Sequence, residues 1–214
     1  MRNRYHLMLL SLLIFLSCCK RDNSSPKVFT KESYPIAVGN WWQYQLRYCS
    51  TTQGITDTIT LSVVSMSTAG PYTNYKCYFT YNGTVTDSAY FQQSDTSLSF
   101  VNISSYAYFS AIPNFHIKFP ASAGQYWNGA FPGDSTLVVG VANSCNGSNG
   151  HSFSPCFSTN EAYNVPHNFL VNSMLLTPQV GLISQSVDFK SDTAGGGFGA
   201  IICQSVKLIN YSVQ

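Results

Sequence analysis

Apolar and polar side chains alternate with a period of two along much of this chain. Trp42, Tyr44 and Leu46 alternate with polar residues, and the pattern recurs over residues 55–63 and 75–81. This period places every second side chain on one face of an extended segment, which is typical of a β-strand with one buried face. Helical periodicity is nearly absent, so an all-β fold is predicted.

Turn signals divide the alternating runs and indicate antiparallel pairing. Asn82 and Gly83 separate the run that ends at Tyr81 from a run over residues 86–92, and an Asn-Gly pair favours the type I′ turn of a β-hairpin. Further strands are predicted near residues 97–102, 106–109, 115–119, 135–142, 168–176, 180–189 and 200–213. We expect a single antiparallel β-domain over residues 34–214, folded as a half-open barrel or strongly curved sheet, with a β-sandwich as the alternative.

The N-terminus has the pattern of an export signal. Arg2 and Arg4 precede an uncharged, mostly apolar run over residues 7–17, which is shorter than the roughly 20 residues that a membrane-spanning helix needs. Residues 1–17 are therefore predicted to be a signal peptide that is removed. Its removal takes away two basic residues and no acid, which leaves nine basic and nine acidic residues.

The residues that follow predict a lipid anchor. Ser17 precedes Cys18, and this junction resembles the lipobox of bacterial lipoproteins, in which a cysteine after a small residue is acylated. We expect lipid on Cys18, with Cys19 as the alternative, and residues 18–33 as a flexible tether to the domain. The protein is then exported and anchored to the cell envelope, with the outer membrane expected, and the lack of an acidic run after Cys18 favours the periplasmic face.

Composition excludes some partners and predicts disulfide chemistry. Charged residues are 9% of the chain and form no basic stripe, so nucleic-acid binding is not expected. In an oxidising compartment, Cys145 and Cys156 are predicted to form a disulfide that closes the loop between them. The pairing of Cys49, Cys77 and Cys203 stays open.

Two segments carry a family resemblance. Residues 34–44 contain P-x-x-x-G-N-x-W-x-Y, from Pro35 to Tyr44, and residues 178–183 contain V-G-L-I, with Gln179 before it. These segments resemble a group of uncharacterised Gram-negative bacterial lipoproteins. The resemblance implies a mostly antiparallel β-fold, such as a half-open barrel, and it implies no activity and no catalytic residues.

No motif predicts catalysis, a cofactor or a metal. The string from Gly133 to Leu137 resembles the nucleophile block of GDSL-type esterases, but no histidine follows an aspartate at the required spacing, so we expect a turn that leads into a strand. Trp41 and Trp42 are adjacent and must face opposite sides of a strand, which makes them the candidate ligand-binding aromatics.

These observations predict a non-enzymatic module that binds an apolar or glycan ligand or takes part in envelope assembly, with no cofactor. One alternative is a glycan-directed hydrolase, which would need two carboxylates about 5 to 9.5 Å apart in a cleft. The other alternative is a purely structural interaction module.

Overall fold

The computed structural model describes residues 28–49, 55–102, 112, 114–128, 135–142, 144–148, 150–165, 168–178, 180–191 and 202–214. The predicted signal peptide and the lipidation candidates Cys18 and Cys19 lie outside the described residues. No helix in the described part of the chain is long and apolar enough to cross a membrane.

A 3₁₀ turn over Lys31–Ser33 precedes a series of β-strands. The strands are β1 (Trp41–Cys49), β2 (Ile55–Ala69), β3 (Tyr72–Tyr81), β4 (Thr84–Gln93), β5 (Ser97–Asn102), β6 (Phe115–Lys118), β7 (Tyr126–Asn128), β8 (Ser135–Ala142), β9 (Cys145–Asn146), β10 (Ser152–Phe153), β11 (Cys156–Val165), β12 (Asn168–Thr177), β13 (Gly181–Ser191) and β14 (Ile202–Ser212).

Twelve of these strands form one antiparallel sheet in the order β6-β5-β4-β3-β2-β1-β14-β13-β12-β11-β8-β7, and β9 and β10 form a separate hairpin. The pairing of β1 with β14 joins the N-terminal half of the sheet to the C-terminal half. The predicted all-β, single antiparallel domain is confirmed, and it is one curved sheet.

The sheet curves until its two edge strands meet, although no ladder joins them among the described strands. Trp127 of β7 donates its indole N–H to the backbone carbonyl oxygen of His116 in β6, at 3.1 Å. This hydrogen bond crosses the gap between the two edge strands, which we call the seam. The architecture is therefore a half-open barrel whose seam lies between β6 and β7.

The predicted Asn-Gly turn is confirmed between β3 and β4. Asn82 and Gly83 have φ angles of 47° and 79°, which is the positive φ that a type I′ turn requires at both central residues.

Aromatic rings fill the middle of the barrel. The ring centroids of Phe91 and Phe100 are 4.9 Å apart, and those of Phe100 and Phe115 are 5.4 Å apart. All three side chains are fully buried, and each contributes on the order of 1.5–3 kcal/mol by leaving water. The alternating apolar positions of β4, β5 and β6 thus form the core that the sequence pattern predicts.

Packed structure begins earlier than predicted. Phe29, in the segment predicted to be a flexible tether, is 1% exposed and exchanges two backbone hydrogen bonds of 2.8 Å with Ala121. Its ring lies 5.1 Å from that of Phe157. The tether prediction of residues 18–33 is corrected for residues 28–33, because one large apolar side chain is held by tertiary contacts that local periodicity does not reveal.

Candidate functional site

The two ends of the barrel differ in chemistry. We call the end with the Asn82–Gly83 turn the upper end and the opposite end, where β2 turns into β3 at Gly70, the lower end. The chain leaves β1, β5, β11 and β13 at the upper end, whereas the N-terminal segment and the turn between β12 and β13 lie at the lower end.

At the lower end, the two segments that carry the family resemblance contact each other. Trp42 donates its indole N–H to the carbonyl oxygen of Val180 at 2.6 Å, and the Tyr44 hydroxyl donates to the carbonyl oxygen of Leu182 at 3.2 Å. Both donors are about 1% exposed. We call this contact between residues 34–44 and 180–183 the lower clamp.

Gly181 is at the tightest point of the lower clamp. It has a φ of +92°, and a Cβ at this position would lie 2.8 Å from Cζ of Tyr34. Burial raises the pKa of the Tyr34 and Tyr44 hydroxyls above the ordinary tyrosine value, so both rings stay neutral in the folded protein. The glycine of the V-G-L-I segment is therefore required by backbone conformation and by space.

Asn40 connects the clamp to the C-terminus. Its side-chain nitrogen donates to the carbonyl oxygen of Pro35 at 3.2 Å, and its side-chain oxygen accepts from the backbone N–H of Gln214 at 3.1 Å. The side chain is fully buried. The residues of the family resemblance thus have structural roles at the lower end.

The two candidate ligand-binding tryptophans have different surroundings. Trp42 belongs to the buried core, and its indole N–H donates to the carbonyl oxygen of Val180. Trp41 lies on the opposite face of β1 and is half-buried. A ligand-binding role for this pair stays a prediction, and Trp41 is the member whose ring reaches solvent.

The structure joins Cys145 and Cys156 by a disulfide with a Cα–Cα distance of 6.0 Å. It links the β9–β10 hairpin to the start of β11, and Cys156 is fully buried. Sulfur atoms joined in a disulfide are not thiolates, so these two cysteines are not available as metal ligands. The described residues contain no group of three or more His, Cys, Asp or Glu that could hold a metal ion.

Above the aromatic core, polar side chains replace apolar ones inside the barrel. Asn172 of β12 lies at the centre: its side-chain nitrogen donates to Glu161 Oε2 and to the carbonyl oxygen of Asn114, both at 3.4 Å. Its side-chain oxygen accepts from Gln185 Nε2 at 2.9 Å. The Asn114 side-chain oxygen in turn accepts from the backbone N–H of Asn102 at 2.7 Å.

We call these five residues the polar cluster. Glu161 and Asn172 are 0% exposed, and none of the five exceeds 7%. The cluster joins strands that are distant in the sheet, because Asn102 ends β5 and Asn114 precedes β6, whereas the other three residues lie on β11, β12 and β13. It therefore crosses the interior near the seam.

Strand register places the cluster on the upper side of the core. Along β11, the buried positions progress from Phe157 through Thr159 to Glu161 toward the upper end. Glu161 pairs with Asn172, Asn172 pairs with Val187, and Val187 pairs with Gln204. Gln204 is also buried, at 5% exposure. The row at this level is largely polar, and the row below it, Thr159, Met174, Gln185 and Val206, is mixed.

Thr159 is a buried polar residue of β11 outside the polar cluster. Its side chain is 2% exposed, and its hydroxyl oxygen has no hydrogen-bond partner among the described residues. A buried hydroxyl without a partner costs about 1–3 kcal/mol. Valine has the same shape and would avoid this cost, so the hydroxyl is unfavourable for folding alone.

Glu161 is the one acidic residue among the described residues that are buried. A carboxylate is costly to bury unless hydrogen bonds and opposite charges compensate for lost hydration. Asn172 supplies one such hydrogen bond to Glu161.

Sequence periodicity does not reveal the polar cluster. It predicts no strand between residues 142 and 168, where the structure has β9, β10 and β11. Asn172 gives a usable signal, because it occupies the same phase of β12 as Met174 and Leu176, where an apolar residue is expected.

Fold and site together define a half-open, antiparallel β-barrel with a clamped lower end, an aromatic core and a polar cluster near its upper end. No protein-family model matches the chain, and no curated protein matches it.

Solved structures that resemble the chain include two from Bacteroidetes that are described as exported or as a lipoprotein. One is from Bacteroides fragilis NCTC 9343 and is provisionally described as an exported protein with a YmcC-like fold; it has 11% identity and a TM-score of 0.46 over 87% of this chain and 100% of that chain. The other, from Parabacteroides distasonis ATCC 8503, is provisionally described as a lipoprotein, with 10% identity, a TM-score of 0.45 and the same coverage. Neither likeness identifies a function.

Proposed function

We propose that this protein is an exported, lipid-anchored protein of the cell envelope that binds a neutral, hydroxyl-bearing ligand inside its half-open barrel, at the polar cluster. The observation that carries the binding proposal is the buried Thr159 hydroxyl, which has no partner among the described residues and lies two positions before Glu161 on the inner face of β11. The proposal involves no catalysis.

The anchor is supported by the sequence. Residues 1–17 have the charge and apolar pattern of a signal peptide, and Cys18 follows Ser17. Phe29 is packed against the domain, and residues 18–27 lie between Cys18 and the first described residue, Val28. Ten residues reach at most about 36 Å even when fully extended, which keeps the domain close to the membrane.

The chemistry of the cluster supports a hydroxyl-bearing ligand over an apolar one. Carboxylate oxygens accept hydrogen bonds, and side-chain amides both donate and accept them, so this set matches the vicinal hydroxyls of a sugar or polyol. The aromatic core already occupies the apolar part of the barrel. The stability cost of the Thr159 hydroxyl is consistent with a binding role, since polar groups that reduce stability are expected where function requires them.

The anchor is tested by comparing the full-length chain with the variants Cys18→Ser and Cys19→Ser in a Gram-negative host. We expect Cys18→Ser to leave the membrane fraction and lose its acyl mass, whereas Cys19→Ser stays anchored. The reverse pattern would move the anchor to Cys19. Acyl mass on neither cysteine in the wild-type chain would remove the anchor from the proposal.

Binding is tested by calorimetric titration of the detergent-extracted full chain with neutral hexasaccharides of glucose, mannose and N-acetylglucosamine. For a saccharide that binds, Glu161→Gln should weaken binding at least tenfold, because a hydrogen bond to a charged group contributes about 1.5–3 kcal/mol. The matched control is Asp188→Asn, which removes one carboxylate from an exposed position of β13, and it should change affinity less than twofold.

Thr159→Val separates a binding role from a structural one. We expect this variant to be more stable than wild type, because it removes a buried polar atom without a partner, and to bind the saccharide more weakly. Equal affinity of wild type, Glu161→Gln and Thr159→Val, or binding of none of the saccharides, would contradict the proposed ligand.

A further inference from the structure

Strand register places two cysteines opposite each other at the upper end of the barrel. Cys49 is the last residue of β1, and it pairs with Cys203, the second residue of β14, in the antiparallel ladder between these strands. From this juxtaposition we infer that Cys49 and Cys203 form a second disulfide, which covalently joins the N-terminal and C-terminal halves of the sheet.

The backbone geometry fits such a bond. Directly opposed residues of an antiparallel pair have Cα atoms about 4.5 or 5.5 Å apart, depending on their hydrogen bonding. Disulfides span Cα distances of roughly 4.4–6.8 Å, so both kinds of pair are within range. The register from Tyr44↔Leu208 to Cys49↔Cys203 is continuous, with its one irregularity before Tyr44.

Both positions also belong to the same face of the sheet. The buried positions of β1 are Trp42, Tyr44 and Leu46, and those of β14 are Gln204, Val206 and Leu208. Cys49 and Cys203 occupy the alternate phase on their strands, which is the outer face.

Cys77 is excluded as a partner of either cysteine. It is buried on the inner face of β3 and its thiol donates to the carbonyl oxygen of Tyr75 at 3.6 Å. Because β2 lies between β3 and β1, and β14 lies beyond β1, the backbone of Cys77 is at least two strand spacings, roughly 10 Å, from the backbones of Cys49 and Cys203. That distance exceeds the reach of a disulfide.

The reaction requires an external oxidant, which an oxidising compartment supplies as a reactive disulfide. The Cys49 and Cys203 thiols lose two protons and two electrons as one S–S bond forms. The electrons and protons reduce the disulfide of a thiol–disulfide oxidoreductase or of oxidised glutathione to two thiols.

The bond has a structural consequence near the polar cluster. Gln204 follows Cys203, and the row that contains Gln204 also contains Asn172 and Glu161. A bond at Cys49 and Cys203 fixes β1 against β14 one residue above this row, where the chain enters and leaves residues 50–54 and 192–201. It thereby prevents the ends of these two strands from separating at the upper end of the barrel.

Trypsin separates the cysteines well enough for a direct test. Cleavage after lysine and arginine puts Cys49 in peptide 48–76, Cys77 in peptide 77–118, Cys145 and Cys156 in peptide 119–190, and Cys203 in peptide 191–207. The full-length chain is exported, extracted in detergent with N-ethylmaleimide and without reductant, denatured, digested and analysed by mass spectrometry.

We expect peptide 48–76 linked to peptide 191–207, and peptide 77–118 with one maleimide adduct. The link should disappear on reduction. In the variant Cys203→Ser, peptide 48–76 should carry a maleimide, whereas the control Cys77→Ser should keep the link.

Alkylated, unlinked peptides 48–76 and 191–207 from the wild-type chain would overturn the inference. A link from either of them to peptide 77–118, or to the N-terminal peptide that holds Cys19, would overturn it as well. The decisive measurement is made on the wild-type chain, so the conclusion does not depend on the folding of any variant.

Discussion

Replacing Gly181 by alanine is the sharpest test of the lower clamp. The residue has a φ of +92°, and the new methyl group would lie 2.8 Å from Cζ and 2.9 Å from Cε1 of Tyr34. The Tyr34 ring cannot withdraw easily, because it is buried and contacts the rings of Phe29 and Phe91.

The expected cost is the sum of two effects. A left-handed backbone costs an L-residue other than glycine about 1–2 kcal/mol, and forcing a methyl group into a packed core costs about 1–3 kcal/mol more. Gly181→Ala should therefore lower the free energy of unfolding by about 2–5 kcal/mol. This is a large part of the roughly 5–15 kcal/mol that stabilises a typical domain.

Gly124→Ala is the matched control. Gly124 has a similar φ of +83°, but nothing lies within 4 Å of the position that a Cβ would occupy there, so only the backbone cost of about 1–2 kcal/mol applies. Urea unfolding of wild type and both variants, followed by tryptophan fluorescence, measures the difference. We expect Gly181→Ala to unfold at a clearly lower urea concentration than Gly124→Ala.

A double-mutant cycle isolates the contact with the ring. Tyr34→Ala removes the ring, so adding Gly181→Ala to this variant should cost only the backbone part. The coupling energy should then be about 1–3 kcal/mol. Equal costs for Gly181→Ala and Gly124→Ala, or a coupling energy near zero, would refute the role assigned to Gly181.

Three further predictions concern the seam, the disulfide and the buried thiol. Trp127→Phe should lower stability by about 1–3 kcal/mol, because the carbonyl oxygen of His116 loses its donor, and should speed hydrogen exchange in β6 more than in β2. Replacing Cys145 and Cys156 together by serine should lower the unfolding free energy by about 3 kcal/mol on the chain-entropy model; an unchanged urea midpoint would contradict this. Burial raises the pKa of Cys77 from 9.0 to about 12, so the folded protein keeps a proton that the unfolded chain releases; stability should fall between pH 9 and 12 by about 1.4 kcal/mol per pH unit from this group. Cys77→Ala should reduce that slope, and an identical slope in both proteins would refute the assignment.

Most of the strands could be predicted because their inner positions are apolar. The runs near residues 168–176, 180–189 and 200–213 correspond to β12, β13 and β14, and the strands of the N-terminal half agree equally well. The predicted strand near residues 106–109 lies outside the described residues. Where apolar residues occupy every second position, the sequence alone identifies the buried face of the strand.

β11 shows where this reasoning fails. Its inner face carries Thr159 and Glu161, so polar residues occupy both phases and the alternation disappears from the sequence. Pro155 and the glycines before it also suggest a loop over residues 143–160, where the structure has β9, β10 and the start of β11. The polar residues that form the candidate site therefore remove the alternation by which β11 could be predicted.

The polar cluster could not be assembled from sequence, since its members lie between positions 102 and 185 and meet only when the sheet curls. Phe29 is a similar case, because its burial depends on Ala121 and Phe157. The lower clamp is partly visible in the sequence, because both of its segments carry the family resemblance; their contact with each other is visible only in the structure.

A lipid-anchored, saccharide-binding protein is best tested by the native mass of the full-length chain, extracted from membranes in detergent and measured before and after denaturation. We expect a chain that begins at Cys18 and carries acyl chains, together with a second, noncovalent mass of a saccharide that is lost on denaturation and is absent from Glu161→Gln. A chain without acyl mass would contradict the anchor. The absence of any noncovalent mass from the wild-type chain, even after incubation with the saccharide panel, would contradict the binding function.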